Sequence, residues 1–234
     1  MPVLGMLRVK NEQRWLPRAL ASILPVCDHI YILDDHSTDL TPEIIKSTPK
    51  CTLYHSQFDE GVDEARDRTW LLLEMGRAAN ICIDPVSPVW VLSIDGDEEL
   101  VEADREILTQ PQSTFVNSYC AQILYLWDNE NQIRVDRHYA MCLRPSFFRF
   151  TSPHMEFRNH SGPLHTTGVP ISAGYTRRRH FPAPFRLLHY GYMDAADRQK
   201  KYDFYMALDP AQKEFYSREC FGPAQLTPLS EVLV

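Results

Sequence analysis

No apolar stretch of this chain approaches the roughly 18 uncharged residues that a membrane-spanning helix requires, so no transmembrane segment is expected. The first apolar run is broken by Arg8 and Lys10 and therefore lacks the core of a signal peptide. Cysteine pairs at metal or redox spacing are also missing. Cys27, Cys51, Cys82, Cys120, Cys142 and Cys220 form no Cys-x-x-Cys motif, and several sit in apolar stretches, which argues against a zinc site or a disulfide framework. Cysteines such as Cys82, set between Ile81 and Ile83, read as small buried hydrophobes of a reducing compartment, and a cytoplasmic location is the default expectation. Basic charge is in deficit: 24 Lys and Arg against 31 Asp and Glu give a net charge of −7. A general nucleic-acid binder needs clustered basic residues, so no nucleic-acid partner is expected. The one dense basic cluster, Arg177-Arg178-Arg179-His180, is either a solvated strand end or a contact for a phosphate group. No internal repeat and no low-complexity tract is present.

What is present is an ordinary globular composition, 44% hydrophobic and 24% charged, over 234 residues. That length suits one large α/β domain, or a domain with a small extension. The first half alternates two periods. Residues 3–9 form an apolar run suited to a buried strand. Asn11 can cap the helix whose apolar face is Trp15, Leu16, Ala19, Leu20 and Ile23, with Pro25 beyond its end. A second strand is expected at 29–33, a turn at 37–39, a helix from Pro42 to about Ser47, a third strand at 51–54, a helix at 63–75 and a fourth strand at 90–94. This βαβαβα order predicts a doubly wound, mainly parallel sheet with helices on both faces. Later segments predict a helix at 102–109, then strands at 118–127 and 133–143 joined by a turn at 128–131. Loops are expected over 144–184, a buried strand at 185–189, and a helix at 194–208 capped by Asp194. The tail after 221 carries no strong signal.

The most informative stretch is Trp90-Val-Leu-Ser-Ile-Asp-Gly-Asp97. An apolar strand that runs into two carboxylates places them at the carboxyl end of a sheet, where open α/β folds bind ligands. Two acids one glycine apart repel each other, and a hard divalent cation shared with a substrate's phosphates relieves the repulsion. An acidic surface turn is the alternative. Asp34-Asp35 also ends a strand, so both acidic pairs can face one crevice.

Taken in order, Val9-Lys10-Asn11-Glu12, then Ile32-Leu33-Asp34-Asp35-His36-Ser37-Thr38-Asp39 with Thr41, then Ala65-Arg66-Asp67, then Asp95-Gly96-Asp97 resemble the successive motifs of family 2 glycosyltransferases with the GT-A fold. The likeness is firm over residues 3–100 and looser to about 210, through Arg144-Pro-Ser-Phe-Phe-Arg149 and Leu188-His189-Tyr190-Gly191. It departs from the family pattern where His36 and Leu40 replace two glycines and Asp67 replaces an asparagine.

The resemblance implies a metal-dependent, inverting transferase that takes a nucleoside-diphosphate sugar, foremost a UDP-sugar, to an acceptor hydroxyl. Residues 1–110 would be the nucleotide-sugar-binding half and 111–234 the C-terminal, acceptor-side half of one domain. A carbohydrate or cell-envelope precursor is the acceptor expected by analogy. Asp35 would contact the base, where a carboxylate accepts the imide N–H of uracil, or it caps its own turn through Thr38. Glu12 would meet a ribose hydroxyl or favour a helix start. Arg66 would serve a phosphate or Asp95, or form a surface ion pair. Asp95 and Asp97 would hold Mn²⁺ or Mg²⁺, with His189 as a third ligand or as a structural histidine.

The base is the least determined role. Some members carry His-Glu in the segment that here reads Gly162-Pro163-Leu164-His165-Thr166, and Thr166 cannot act as a base. Glu156, His165 and Asp136 remain, with Glu156 favoured unless it forms a rim ion pair with Arg158.

Competing readings are a nucleotidyltransferase, a phosphatase built on Asp-x-Asp, and a degenerate transferase that binds a nucleotide sugar without turnover. Arg8-Val9-Lys10-Asn11-Glu12 lacks the glycines of a nucleotidyltransferase phosphate loop, and Glu99 stands where phosphatases place Thr or Val.

Overall fold

The computed structural model describes residues 1–59, 61–81, 88–110, 116–152, 154–161, 164–173 and 185–233. Four parallel strands form its centre: β1 (Val3–Val9), β2 (His29–Asp34), β3 (Cys51–His55) and β4 (Trp90–Ser93), in the spatial order β4-β1-β2-β3. Their residues alternate between two cores. Leu7 and Val9 of β1 and Ile30 and Ile32 of β2 pack with Leu16, Ala19, Leu20 and Ile23 of α1 (Leu16–Ile23) and with Ile45 of α2 (Thr41–Ser47). Leu4, Met6, Tyr31 and Leu33 face the other way, onto Ala65, Leu71, Leu72 and Met75 of α3 (Glu64–Ala78). Strands buried on both faces read as continuous apolar runs, which is why β1, β2 and β4 were visible in the sequence; β3, at the edge of the sheet, is only half-buried.

The sheet continues antiparallel. After β5 (Glu98–Leu100) and the short helix α4 (Arg105–Thr109) come β6 (Ser118–Trp127), β7 (Asn129–Arg134) and β8 (Cys142–Arg149). Strand β8 joins β4 to β6, and β6 hands on to β7. A small separate hairpin pairs β9 (Asn159–Ser161) with β10 (Leu164–Thr166). Strand β11 (Phe185–His189) lies parallel to β6 and antiparallel to β5, with His189 opposite Glu98. Helices α5 (Ala195–Leu208) and α6 (Lys213–Phe221) follow, and β12 (Leu226–Pro228) closes on β7. Asp194 caps α5 as expected, accepting the Asp197 N–H at 2.9 Å.

Three expectations need correction. The stretch 144–184, expected to be loops, holds most of β8 and the β9–β10 pair. Asn11 does not cap α1, which starts at Leu16 after Trp15. Asn11 instead takes a left-handed conformation (φ 56°), accepts the Thr38 N–H at 2.8 Å and donates its own N–H to Ser37 Oγ at 2.8 Å, tying the end of β1 to the turn after β2. The strand expected at 133–143 is broken into β7, a 3₁₀ turn over Arg137–Met141, and β8. Left-handed Asp128 (φ 63°) makes the reversal, and left-handed Arg137 (φ 54°) starts the break. Helix α6 and strands β5 and β12 were not foreseen. The basic cluster Arg177-Arg178-Arg179-His180 lies outside the described residues.

Candidate active site

The carboxyl ends of β1, β2, β4 and β11 bring the acidic motifs together. Asp35 follows β2 and hangs its N–H on Val9 O at 2.8 Å. Asp95-Gly96-Asp97 forms the turn between β4 and β5. A Cβ on Gly96 would fall 2.9 Å from both Glu12 Cγ and Val9 Cγ1, so only glycine lets this turn lie against the end of β1. The Tyr190 N–H donates to Asp97 O at 2.9 Å, which joins the end of β11 to the same turn.

Asp35 is buried and does not cap its turn. The Ser37 N–H goes to Asp34 Oδ2 at 3.3 Å, and the Thr38 N–H goes to Asn11. Asp35 Oδ2 receives Arg8 Nη2 at 2.6 Å and Lys10 Nζ at 3.4 Å, and Oδ1 lies 3.2 Å from His36 Nδ1. Burial alone would raise its pKa, but Arg8, His36 and Lys10 outweigh that and hold the carboxyl below its ordinary value. Arg8 also donates Nε to the fully buried Asp67 at 2.8 Å.

Arg66 does not reach Asp95. It bonds Asp67 through Nε and Nη2 at 2.9 and 2.8 Å, donates to Gly61 O at 3.1 Å and stacks over Phe58. Two residues along a helix is a large turn about its axis, so it is Arg68 that faces β4. Arg68 donates to Ser93 Oγ at 3.1 Å and to Asp95 Oδ1 at 2.5 Å. Arg144 of β8 holds Asp95 Oδ2 at 3.0 Å and the fully buried Glu98 at 2.5 Å. Burial opposes ionisation of Asp95, and Arg144 and Arg68 overcome it, leaving a strongly depressed pKa.

Asp97 is 5% exposed. Its Oδ2 lies 3.2 Å from Lys201 Nζ of α5 and 3.8 Å from His189 Nε2. Burial raises its pKa, and His189 and Lys201 bring it below the ordinary value. Lys201 is itself raised, because Asp97, Tyr205 and Glu12 more than offset its burial. Glu12 is pushed up to about 9 by burial and by Asp97 and Asp95, against the pull of Lys201. Its carbonyl also accepts the Trp15 and Leu16 N–H groups at 3.1 and 2.9 Å, so it opens α1 while its side chain faces the acidic pair.

The remaining candidates are dispersed. The Glu156 side chain is exposed, and no ion pair joins it to Arg158 among the described residues. His165 lies in β10, and its side chain is outside what is described. Asp136 is in another corner, held by Arg134 at 2.7 Å and by the Gln225 N–H at 3.1 Å. Thr166 donates its N–H to Glu64 Oε2 at 3.4 Å, so an acid from the start of α3 sits beside the position where one was missed.

A divalent ion fits this site by donor type. Asp97 offers carboxylate oxygen, His189 offers imidazole, and the Lys201 ammonium already marks a place that favours positive charge. Among the described residues no three His, Cys, Asp or Glu groups converge to enclose an ion, so substrate phosphates would complete its shell. The Gly191 N–H donates to His189 Nδ1 at 3.1 Å, so in the neutral ring Nε2 carries the proton and points it at Asp97. Ligation through Nε2 therefore requires the other tautomer.

The model of the glycosyl transferase family 2 matches residues 7–178. The chain belongs to this family. It is 29% identical over 226 residues to an uncharacterized protein of Mycobacterium tuberculosis, covering 90% of this chain and 51% of the relative. It is 26% identical over 150 residues to an uncharacterized glycosyltransferase of Rickettsia bellii, covering 61% and 45%. The chain thus spans about half the length of the curated relatives it matches. Among solved structures, S. aureus TarS in complex with UDP-GlcNAc aligns over 94% of this chain and 71% of its own, at 14% identity and a TM-score of 0.45. Glucosyl-3-phosphoglycerate synthase from Mycobacterium tuberculosis, in complex with Mn²⁺, UDP and glucosyl-3-phosphoglycerate, aligns over 53% and 44%, at 18% identity and a TM-score of 0.36.

The residues that sequence reasoning missed are Arg8, Arg68, Arg144, Glu98, Glu64 and Lys201. Their types carried no motif of their own. Arg144 alone had a signal, as the first residue of the looser motif after β7.

Proposed function

We propose that this family member transfers a sugar from a nucleoside-diphosphate sugar, foremost a UDP-sugar, to an acceptor hydroxyl with inversion and with the help of Mn²⁺ or Mg²⁺. The observation that carries the reading is that Asp35 and Asp97 lie at the carboxyl ends of β2 and β4, on either side of β1, with Glu12 between them. On this reading Asp35 accepts from the base through the oxygen that Arg8 leaves free, and Glu12 meets the ribose. Residues 1–110 hold the donor and 111–234 the acceptor. Asp97, with His189 and Asp95, would hold the ion, which supplies Lewis-acid neutralisation of the departing diphosphate. Arg144 and Arg68 fix Asp95 so that it stays ionised beside that charge. The base is Glu156 or His165, as the family likeness implies, or Glu64, which the Thr166 contact adds. A carbohydrate or envelope precursor is the acceptor class, with a cytoplasmic setting as the default.

The second reading is a nucleotide-sugar-binding module without turnover, favoured by threonine at 166. A panel of nucleotide sugars separates the two. In the presence of Mn²⁺, one donor should raise the melting temperature by mass action and release free nucleoside diphosphate slowly without acceptor. Stabilisation without release would favour the binding module, and an inert protein across the panel would contradict both.

A further inference from the structure

Lys201 is the one lysine or arginine in contact with Asp97 among the described residues, beside His189, and the surrounding backbone leaves room for it. A Cβ on Gly191 would clash with Asp97 Oδ2 and Lys201 Cε, so in this arrangement the lysine stem occupies space that a side chain at 191 would need. The ring of Tyr192 lies 5.2 Å from Nζ and lines the same passage. The adjacent Lys200 behaves as a surface residue: its side chain is 79% exposed and reaches Asp197 at 3.7 Å. Lys201 is 26% exposed and points inward, with its Nζ 3.2 Å from Asp97 Oδ2. A lysine holds a carboxylate through one compact, rotatable ammonium on a flexible stem, unlike the two-pronged grip of an arginine. Such a contact can be exchanged without rebuilding the site.

We propose that Lys201 is a resident counter-ion for Asp97 that a divalent ion displaces, and that the released ammonium then binds the donor's phosphates. The proposal rests on the donor reading given above and extends it to the order of charge exchange. Before the donor arrives, Asp97 is neutralised from within the chain. An incoming ion with two charges outcompetes one ammonium for Oδ2, and the diphosphate brings the negative charge that the freed lysine then needs. Anchored on α5, the ammonium stays within reach of its original position.

The test is Mn²⁺ binding by calorimetry with no nucleotide present. Lys201→Met removes the competitor, so Mn²⁺ should bind about tenfold tighter or more than to the wild type, a step well within the effect of one partly screened charge. Lys201→Arg keeps a competing charge and should bind no tighter than wild type, and Lys200→Met should leave the affinity unchanged. With Mn²⁺ saturating, Lys201→Met should bind UDP about tenfold more weakly, because the phosphate contact is gone. Circular dichroism confirms that each variant is folded. Equal or weaker Mn²⁺ binding by folded Lys201→Met would overturn the proposal, as would unchanged UDP affinity. The Mn²⁺ comparison decides the counter-ion half of the proposal and the UDP comparison its phosphate half. Wild-type protein that binds Mn²⁺ but no UDP or UDP-sugar would instead overturn the donor reading.

Discussion

Asp35 and Asp97 are both buried carboxylates at strand ends of one sheet, yet they are neutralised in different ways. Asp35 is gripped by Arg8, which is 10% exposed, lies on the neighbouring strand and shares its guanidinium with Asp67. Asp97 faces Lys201, which is 26% exposed, comes from helix α5 and reaches Asp97 through one ammonium at 3.2 Å. The first arrangement is rigid and supports the fold as much as any ligand. The second is loose and can change partners. On the proposed donor reading, the rigid end would hold the base of the nucleotide and the loose end would admit an ion at the phosphates.

The comparison can be broken at its rigid side first. Arg8→Met takes a shared partner from two buried carboxylates, leaving Asp67 with Arg66 and Asp35 with Lys10 and His36, and should lower unfolding free energy by about 3 kcal/mol, the low end for removing one partner from a buried pair. Lys201→Met should lower it by about 1 kcal/mol or less, as expected for a partly solvated contact. Urea titrations of both variants check this, and equal losses would end the distinction. Next, Asp97→Asn should weaken Mn²⁺-dependent turnover by about 10²–10³-fold, the scale of losing one preorganised charge contact. Its urea midpoint should move far less than that of Arg8→Met.

A smaller effect concerns the base. Glu64→Gln and Glu156→Gln are compared by turnover at saturating donor. The true base should lose roughly 10² in rate with donor affinity preserved, and the other should stay near wild type. Smaller still is the acid response of Asp35. Its folded pKa is depressed below the ordinary 3.8, so its contribution to stability is present above that value and is lost as pH falls through the folded pKa. The stability gap between wild type and Asp35→Asn should therefore narrow as pH drops below about 4, and a constant gap down to pH 2 would contradict the assignment. The smallest change is expected at His36, which holds φ +57° where the family pattern has glycine. His36→Gly relieves about 1 kcal/mol of left-handed strain while losing the contact to Asp35, so thermal unfolding should move little.

The N-terminal half was legible because its code is local. Strands β1, β2 and β4 are buried on both faces and read as apolar runs, and Asp35, Asp95 and Asp97 follow directly from where those runs stop. The partners of those acids were not legible, because a charge's partner is chosen by tertiary approach. Arg66 stood in the motif, yet the turn of α3 gave Asp95 to Arg68. Lys200 and Lys201 are indistinguishable in sequence, and only the packing of α5 behind Gly191 turns one inward. The strand expected at 133–143 failed for a similar reason. Arg134 is fully buried, bonded to Asp136 and stacked on Trp127 and Tyr139, which ends β7 where the apolar pattern would continue.

The central claim is that Asp35 and Asp97 serve two ends of one bound nucleotide. Calorimetric titration of UMP and UDP, with Mn²⁺, into wild type, Asp35→Ala and Asp97→Ala tests it most directly. Asp35→Ala should weaken both nucleotides, Asp97→Ala should weaken UDP far more than UMP, and EDTA should mimic Asp97→Ala. UDP binding that is indifferent to both substitutions would contradict the account.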